Sequence, residues 1–369
     1  MTARGRLRVG VIFGGRSGEH DVSLQSARSV LGALDPERFE AVPLAIARDG
    51  RWLPPPLAER LLQGDAPPAD AALPPAVALA AIAAPAGTRG AGGGLDVVFP
   101  VLHGPNGEDG SVQGLLELAG LPYVGAGILG SALGMDKVAQ KDMFVRHGLP
   151  VVGYRLVRRD RLRADPAGVA DEVASAVGLP CFVKPANLGS SVGIGRAATA
   201  AELREALAAA GAHDARLICE SSVEARRELE CAVLGNAEPR ASVVGEVVPH
   251  AAFYDYGAKY TPGGADLIVP ADLPPGRAAE VRELALRVFE VLDCAGMARV
   301  DFFLDRASDR LYVNELNTIP GFTATSMYPR LWAASGLPYP DLVARLIELA
   351  LERHADRGGT PPGGTAAGR

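Results

Sequence analysis

Cysteine is scarce in this sequence, with only four among 369 residues, and no two of them form a Cys-x-x-Cys pair. A disulfide framework or a zinc site built on that spacing is therefore a poor fit. Cysteines within apolar segments are usually buried thiols, and a reducing compartment keeps them reduced. We therefore expect buried, reduced thiols in a cytoplasmic protein at Cys181, Cys219, Cys231 and Cys294.

Long apolar runs and an excess of basic charge are also missing. Residues 1–8 lead into a short apolar strand, which differs from the core of a signal peptide. The alanine-rich residues 66–86 are interrupted by prolines, so they cannot form a helix that crosses a membrane. The formal net charge of −6 argues against general nucleic-acid binding. We expect neither a membrane nor a nucleic acid as a partner.

Two common nucleotide-binding motifs are absent. The loop from Lys184 to Gly195 has glycines that let backbone N–H groups approach a phosphate, but its spacing is not that of a Walker loop. A structural turn explains this loop about as well. Residues 14–23 miss the Gly-x-Gly-x-x-Gly spacing of a dinucleotide site. Glu19 in that segment suits a positive group such as a substrate amine, or else it caps the following helix.

The sequence does contain alternating apolar strands and amphipathic helices, which is typical of α/β domains. The first predicted unit, residues 1–125, has the apolar runs of buried parallel strands. A second unit covers residues 126–223, and a strand-rich third unit covers 224–355. Residues 356–369 are predicted to be a disordered tail.

Hydrophobic periodicity also predicts the individual elements. Strands are predicted at 7–13, 39–47, 95–102, 151–157, 181–184, 192–196, 217–220, 227–234 and 241–248. Helices are predicted at 22–34, 135–147, 167–177, 201–209, 279–292 and 339–353. The biased residues 63–94 are predicted to be a loop without chemistry.

The most informative segment, residues 297–321, predicts two strands joined by a polar turn. Antiparallel pairing about a turn centred on Ser308 places Asp301 opposite Glu315, so two carboxylates meet. The same pairing places the guanidinium of Arg299 opposite the amide of Asn317. Hard oxygen ligands grouped in this way suit Mg²⁺, which takes one or two carboxylates plus substrate phosphates. The alternative is a solvated hairpin with ion pairs, which the apolar flanking residues disfavour.

Two further polar segments are candidates for function. Residues 103–110 follow the end of a buried strand, where open α/β sheets bind ligands, although His103 alone fits a turn equally well. Tyr254 to Tyr260 lies in a long stretch without periodicity, which indicates a mobile lid rather than a surface loop with exposed aromatics.

These motifs occur together in one order. The series is Gly-Gly-x-Ser-x-Glu-His-x-Val-Ser, His-Gly-x-x-Gly-Glu-Asp-Gly, Met-Asp-Lys, Val-Lys-Pro with Gly-Ser-Ser-Val-Gly, Phe-Tyr-Asp-Tyr-x-x-Lys-Tyr, Arg-Val-Asp and Asn-Glu-Leu-Asn-Thr-x-Pro-Gly. It resembles the D-alanine–D-alanine ligase family of ATP-grasp enzymes over residues 7–350. The resemblance implies a mixed α/β ATP-grasp fold of three domains, with an N-terminal Rossmann-like open parallel sheet.

The resemblance also implies ligands and the residues that hold them. ATP lies between the second and third domains with two Mg²⁺ ions, for which Mn²⁺ can substitute, held by Asp301, Glu315 and Asn317. The nucleotide is held by Lys137, Lys184, Glu220, Glu228 and Lys259. The implied catalytic residues are Glu19, His103, Ser190, Tyr260, Arg299, Gly321 and Ser326. A cytoplasmic homodimer acting on D-alanine and ATP is expected.

The implied reaction joins two D-alanines through an acyl phosphate, for peptidoglycan precursors. Gly257 departs from many relatives, which have glutamate there, and this puts the rigidity of the closed lid in question. The alternatives are a ligase that makes D-alanyl-D-lactate or D-alanyl-D-serine, and a nucleotide-binding module without turnover. The weakest alternative is a nicotinamide-dependent oxidoreductase, because its glycine spacing is missing.

Overall fold

The computed structural model describes residues 5–65, 94–189, 193–250 and 264–358. Three predicted site residues lie outside these ranges: Ser190, Lys259 and Tyr260. Most of the predicted loop at 63–94, the Tyr254 to Tyr260 segment and the last 11 residues of the predicted tail also lie outside them.

The N-terminal region forms a mostly parallel sheet flanked by helices, as predicted. Its elements are β1 (Leu7–Gly14), α1 (His20–Ala33), β2 (Phe39–Ile46), β3 (Trp52–Leu53), α2 (Pro55–Gln63), β4 (Val97–Pro100) and α3 (Ser111–Leu118). The strand order is β3-β2-β1-β4, and β1 is parallel to both neighbours. The apolar run of β1 is buried between its neighbours and the helices, which explains why it lacks alternation.

The central region packs helices against a four-stranded antiparallel sheet of order β5-β8-β6-β7. Its helices are α4 (Ile128–Met135), α5 (Lys137–Arg146), α6 (Arg159–Ala164), α7 (Pro166–Val177) and α8 (Ala200–His213). Its strands are β5 (Tyr154–Arg158), β6 (Cys181–Pro185), β7 (Gly195–Ala197) and β8 (Arg216–Ser221).

The C-terminal region contains a five-stranded antiparallel sheet of order β11-β10-β9-β12-β13. Its strands are β9 (Arg226–Gly235), β10 (Arg240–Pro249), β11 (Ala265–Ile268), β12 (Gly296–Asp305) and β13 (Leu311–Asn317). Its helices are α9 (Pro275–Val291), α10 (Met327–Ala334) and α11 (Tyr339–Asp356). Each of the three predicted units thus contains one sheet.

Several boundaries differ from the sequence-based prediction. The helix predicted at 135–147 corresponds to α5, which begins only at Lys137 because Asp136 leaves the helical conformation and caps the helix by accepting hydrogen bonds from two backbone N–H groups. The predicted strand at 95–102 is shorter, and α11 extends to Asp356, the first residue assigned to the tail. Short helices α2, α3, α4, α6 and α10 were missed, since each is too short to show clear periodicity.

The N-terminal and C-terminal regions share one hydrophobic core, in which side chains of β1 and β4 pack with those of α10 and α11. Cys181, Cys219 and Cys231 are buried free thiols, and Cys294 is partly buried. Burial raises the pKa of the Cys231 thiol to about 12, so this group is inert near neutral pH. Among the described residues, no helix is both long and apolar enough to cross a membrane.

Candidate active site

The predicted pairing of the β12–β13 hairpin is confirmed. Asp301 lies opposite Glu315, and Arg299 lies opposite Asn317. The turn itself is shifted slightly from the predicted centre, because Leu304 pairs with Leu311. An irregularity after Asp301 inserts one extra residue into β13 and so restores the predicted pairing at the site end.

A compact ion cluster occupies this end of the hairpin. Arg299 donates from Nε to Asp301 Oδ1 and from Nη2 to Oδ2, each at 2.7 Å. Its Nε also lies 2.9 Å from Oε2 of Glu230, a residue to which no role was assigned from the sequence. Burial disfavours the Arg299 cation, but Asp301 and Glu230 outweigh burial and raise the pKa of Arg299 well above its ordinary value. Asn317 Nδ2 donates to Asp301 Oδ2 at 3.0 Å.

This cluster opens into a cavity of about 440 Å³ that is bounded by all three regions of the chain. Every predicted site residue that the structure describes lines this one cavity: Glu19, His103, Lys137, Lys184, Glu220, Glu228, Arg299, Asp301, Glu315, Asn317, Gly321 and Ser326. These residues come from segments up to about 300 positions apart in the chain, so tertiary folding alone brings them together.

Two lysines and a glutamate form a buried triad on one wall. Glu220 Oε2 lies 2.6 Å from Lys184 Nζ, and its Oε1 lies 2.9 Å from Lys141 Nζ. Burial would raise the pKa of Glu220, but the two lysines outweigh burial and lower it to about 2. Burial lowers the pKa of Lys141, whereas Glu220 and Glu315 outweigh burial at Lys184 and raise its pKa. Glu220 is thus ionised, and Lys141 was missed because a single lysine within a predicted helix gives no signal.

Lys137 connects the glycine loop to the hairpin. It begins helix α5, directly after the capping residue Asp136. Its Nζ donates to the carbonyl oxygen of Leu188 at 2.8 Å and lies 3.5 Å from Glu315 Oε2. This lysine therefore stands between the loop that was predicted to approach phosphates and the carboxylates that were predicted to bind metal.

The far end of the cavity has an arginine between two aromatic rings. The guanidinium of Arg226 lies 5.5 Å from the ring centre of Phe182 and 5.1 Å from that of Phe303. Arg226 Nε also donates to Glu228 Oε1 at 2.9 Å. Sequence reasoning missed Arg226 and Phe182, because their partners lie on other strands.

Glu19 and Glu108 lie at the opposite end. Glu19 occupies the N-cap position of α1, but its side chain makes no capping hydrogen bond, so the capping alternative is not observed. A Cβ on Gly104 would lie 2.7 Å from Glu19 Oε2, and one on Gly189 would lie 2.9 Å from it, so a larger residue at either position would displace this carboxylate. Glu108 accepts from the N–H of Gly104 at 2.7 Å. Burial, and then the charge of Glu19, raises the pKa of Glu108 to about 8.

A set of hydroxyl groups closes the cavity near Gly321. Ser326 precedes helix α10, and its Oγ lies 2.7 Å from the Thr323 hydroxyl and accepts from the Thr323 N–H at 3.2 Å. A Cβ on Gly321 would lie 3.3 Å from Ser326 Oγ. Thr323 and Thr325 also line the cavity. Hydroxyl groups at the N-terminus of a helix form a suitable site for a carboxylate.

The donor chemistry of the hairpin fits Mg²⁺. Within the described ranges, no group of three His, Cys, Asp or Glu side chains could hold a metal ion. Asp301, Glu315 and Asn317 instead offer two carboxylates and an amide oxygen, since the Asn317 nitrogen is engaged with Asp301. Such a set leaves coordination positions for phosphate oxygens and water, as Mg²⁺ prefers.

Comparisons with known proteins agree with this geometry. The family described as D-ala D-ala ligase N-terminus matches residues 8–126, and the family described as D-ala D-ala ligase C-terminus matches residues 143–348. A D-alanine–D-alanine ligase of Geobacillus kaustophilus (strain HTA426) is 47% identical over 361 residues, which cover 95% of this chain and 96% of that protein.

Two solved structures are similar over nearly the whole fold. The D-alanine–D-alanine ligase of Coxiella burnetii is 36% identical with a TM-score of 0.80, over 96% of this chain and 97% of that one. VanG D-Ala:D-Ser ligase of Enterococcus faecalis is 32% identical with a TM-score of 0.79, over 94% and 99%. Because sequence and fold both match from end to end, this chain belongs to the D-alanine–D-alanine ligase family.

Proposed function

We propose that the protein joins two D-alanines in an ATP-dependent reaction through an acyl phosphate, for peptidoglycan precursor synthesis. The observation that carries this proposal is the single cavity that gathers every described site residue from three regions of the chain. Family membership implies the use of ATP and a divalent metal. The roles of individual residues, the number of ions and the second substrate are the finer parts of the proposal.

ATP binds with its base near Phe182 and Arg226 and with its phosphates near the lysines. Lys137 and Lys184 face the phosphates, Glu228 faces the ribose, and Glu220 faces the adenine amino group. Both oxygens of Glu220 already contact lysines, so adenine would use the remaining acceptor positions. Lys259 joins the phosphate contacts in the closed lid.

Asp301, Glu315 and Asn317 hold two Mg²⁺ ions, or Mn²⁺ in their place. When bound, the metal supplies positive charge that offsets the negative charge of phosphoryl transfer. Arg299 stays ionised through its partners Asp301 and Glu230.

The first D-alanine places its ammonium group on Glu19. Its carboxylate attacks the γ-phosphorus of ATP, and ADP leaves. The resulting acyl phosphate has a phosphate leaving group in place of oxide, so an amine can displace it. The amine of the second D-alanine attacks the acyl carbon, and Arg299 with backbone N–H groups near Gly321 stabilises the tetrahedral oxyanion.

The second D-alanine places its carboxylate at Ser326 and the N-terminus of α10. Ser190 and Tyr260 complete a hydrogen-bonded closure with Glu19 across the three domains. The closed lid excludes water, which would otherwise hydrolyse the acyl phosphate.

The second substrate distinguishes this proposal from its alternatives. The similarity to a D-Ala:D-Ser ligase at 32% identity keeps D-serine in consideration, whereas the more similar relative at 47% identity supports D-alanine. ATP-dependent product formation should be measured with D-alanine alone, and then with D-serine or D-lactate added. We expect D-alanyl-D-alanine to be the main product; a preference for D-serine or D-lactate near neutral pH would refute the choice of substrate.

The class of substrate, the compartment and the oligomeric state complete the proposal. The family acts on small molecules, and we propose a cytoplasmic homodimer. Sedimentation equilibrium of the full chain tests the dimer, for which a mass near that of one chain is the contrary result.

A further inference from the structure

A chain of hydrogen bonds links helix α1 to the loop that carries Gly321, and the roles proposed above do not use it. Ser26 is fully buried in α1, and its Oγ lies 3.1 Å from Nε2 of His103. The same Oγ accepts a hydrogen bond from the backbone N–H of Phe322 at 3.4 Å. Nδ1 of His103 lies 3.1 Å from the carbonyl oxygen of Ile319. Ser26 and His103 therefore hold this loop on both sides of Gly321.

The hydrogen-bond partners of His103 and Ser26, together with burial, determine where the protons of these two side chains lie. The carbonyl oxygen of Ile319 can only accept, so Nδ1 of His103 carries a proton. Burial lowers the pKa of His103 despite the opposing charge of Glu19, so the imidazole is neutral and its Nε2 carries no proton. The Ser26 hydroxyl, which accepts from the N–H of Phe322, therefore donates its own proton to Nε2. Both ring nitrogens thus serve protein groups rather than a substrate.

Helix α1 carries both Ser26, which starts this series of hydrogen bonds, and Glu19, whose carboxylate is proposed to bind the substrate ammonium group. Glu19 stands at its N-terminus, and Ser26 follows about two turns later on the same side. Val22, between them, lines the cavity together with Glu19. Phe322 also holds the loop that carries Gly321. Its ring centre lies 5.6 Å from that of Phe99, and its carbonyl oxygen accepts a hydrogen bond from the Tyr339 hydroxyl at 2.7 Å.

We propose that Ser26 is a positioning residue for the ligation step, because through His103 and Phe322 it sets the position of Gly321 relative to Glu19. The inference rests on the proposed function, in which backbone N–H groups near Gly321 stabilise the tetrahedral oxyanion. That oxyanion forms only when the second amine attacks, so a displaced loop slows ligation more than phosphoryl transfer. His103 then acts by holding this loop in place.

A slowed ligation step has a measurable consequence. Water adds to the acyl carbon of the waiting acyl phosphate, and the bond between that carbon and the phosphate oxygen breaks. The products are D-alanine and inorganic phosphate, so ATP is consumed without a peptide bond. The ratio of phosphate released to dipeptide formed therefore reports on the position of the loop, which a general loss of stability does not change.

The test compares Ser26→Ala with the unmodified protein and with Ser131→Ala. Ser131 is a matched control, because it is also a buried helical serine and its Oγ donates to the carbonyl oxygen of Ala126 at 3.4 Å, away from the cavity. For Ser26→Ala we expect dipeptide kcat to fall about 10–100-fold. Its phosphate-to-dipeptide ratio should rise to about two or more, with KM for ATP nearly unchanged. For Ser131→Ala the ratio should stay near one.

Ser26→Cys provides a second variant of similar size, whose thiol is only a weak donor and acceptor. It should also raise the ratio, and it carries the test if the alanine variant does not fold. A ratio near one in a folded Ser26 variant, or an equal rise in Ser131→Ala, overturns the inference. The absence of dipeptide from the unmodified protein would instead refute the proposed function, so the two failures are distinguishable.

Discussion

Single residues in the cavity carry charges that the protein interior accepts only when they are paired. Glu220 between two lysines and Arg299 between two carboxylates follow this rule. Glu108 differs, because burial, and then the charge of its neighbour Glu19, raises its pKa to about 8. Removing the charge of a site carboxylate should therefore change activity, whereas replacing the Glu108 carboxyl should change how stability depends on pH.

Glu315→Gln should abolish turnover while ATP still binds weakly. The substitution removes one of two carboxylates proposed to bind metal and leaves the lysines that are proposed to bind the phosphates, so transition-state stabilisation is lost more than ground-state binding. Steady-state kinetics and a nucleotide-binding titration measure the two effects. Glu283→Gln, on an exposed position of α9, is the control and should behave like the unmodified protein. Near-normal activity of Glu315→Gln would contradict the metal assignment.

Glu108→Gln should change how stability depends on pH. The carboxyl has a pKa of about 8 in the folded protein against 4.5 as the ordinary value, so folding takes up a proton between these values. The contribution of Glu108 is fully present below pH 4.5 and is lost as the pH rises through about 8. Chemical unfolding between pH 5 and 8 should therefore show a smaller decline for Glu108→Gln. Equal slopes in both proteins would show that Glu108 ionises normally.

At the scale of elements, the caps of the short helices place functional side chains. Asp136 accepts from the N–H groups of Val138 and Ala139, and it pairs with Arg216 of β8. The helix that it starts begins with Lys137. The cap therefore determines where this lysine enters the cavity.

Asp136→Ala should destabilise the protein by about 1–2 kcal/mol through the lost cap and should also weaken ATP binding. Asp165→Ala is the control, because Asp165 caps α7 in the same way and no site residue lies on that helix. Both variants should unfold more easily in urea, and only Asp136→Ala should raise the Kd for ATP. If ATP binding weakens equally in both, the cap has no specific role in placing Lys137.

At the scale of the whole molecule, the cavity is lined by residues from all three regions of the chain, so bound ligands should connect these regions. The glycine loop contacts the hairpin region through Lys137 and approaches Glu19 at Gly189. Hydrogen exchange at residues 187–191 and 255–270 should slow when ATP and a phosphinate transition-state mimic are added. The buried strand β1 serves as an internal reference. Equal protection with and without ligands would contradict closure of a lid.

The sequence alone determined the class of fold, the two-carboxylate hairpin and the family. The alternation of strand and helix patterns follows from local side-chain periodicity, and the pairing of Asp301 with Glu315 follows from a short turn between adjacent strands. The correct pairing still depended on a bulge in β13 that compensates for a shifted turn, which no local pattern revealed. Sequence motifs also identified twelve of the residues that line the cavity, although not their partners.

Only the tertiary structure decided which charges neutralise each other and which nitrogens of His103 are engaged. Lys141, Glu230 and Arg226 acquire their places through contacts with residues on other elements, so spacing along the chain cannot reveal them. The separate helix α4, which ends just before Asp136, was also missed, because its eight residues are too few to show clear periodicity. Tertiary contacts also move the pKa values of Glu108 and Glu220 in opposite directions. Burial acts to raise both, but Glu108 faces the carboxylate of Glu19, whereas Glu220 faces two lysines that lower its pKa.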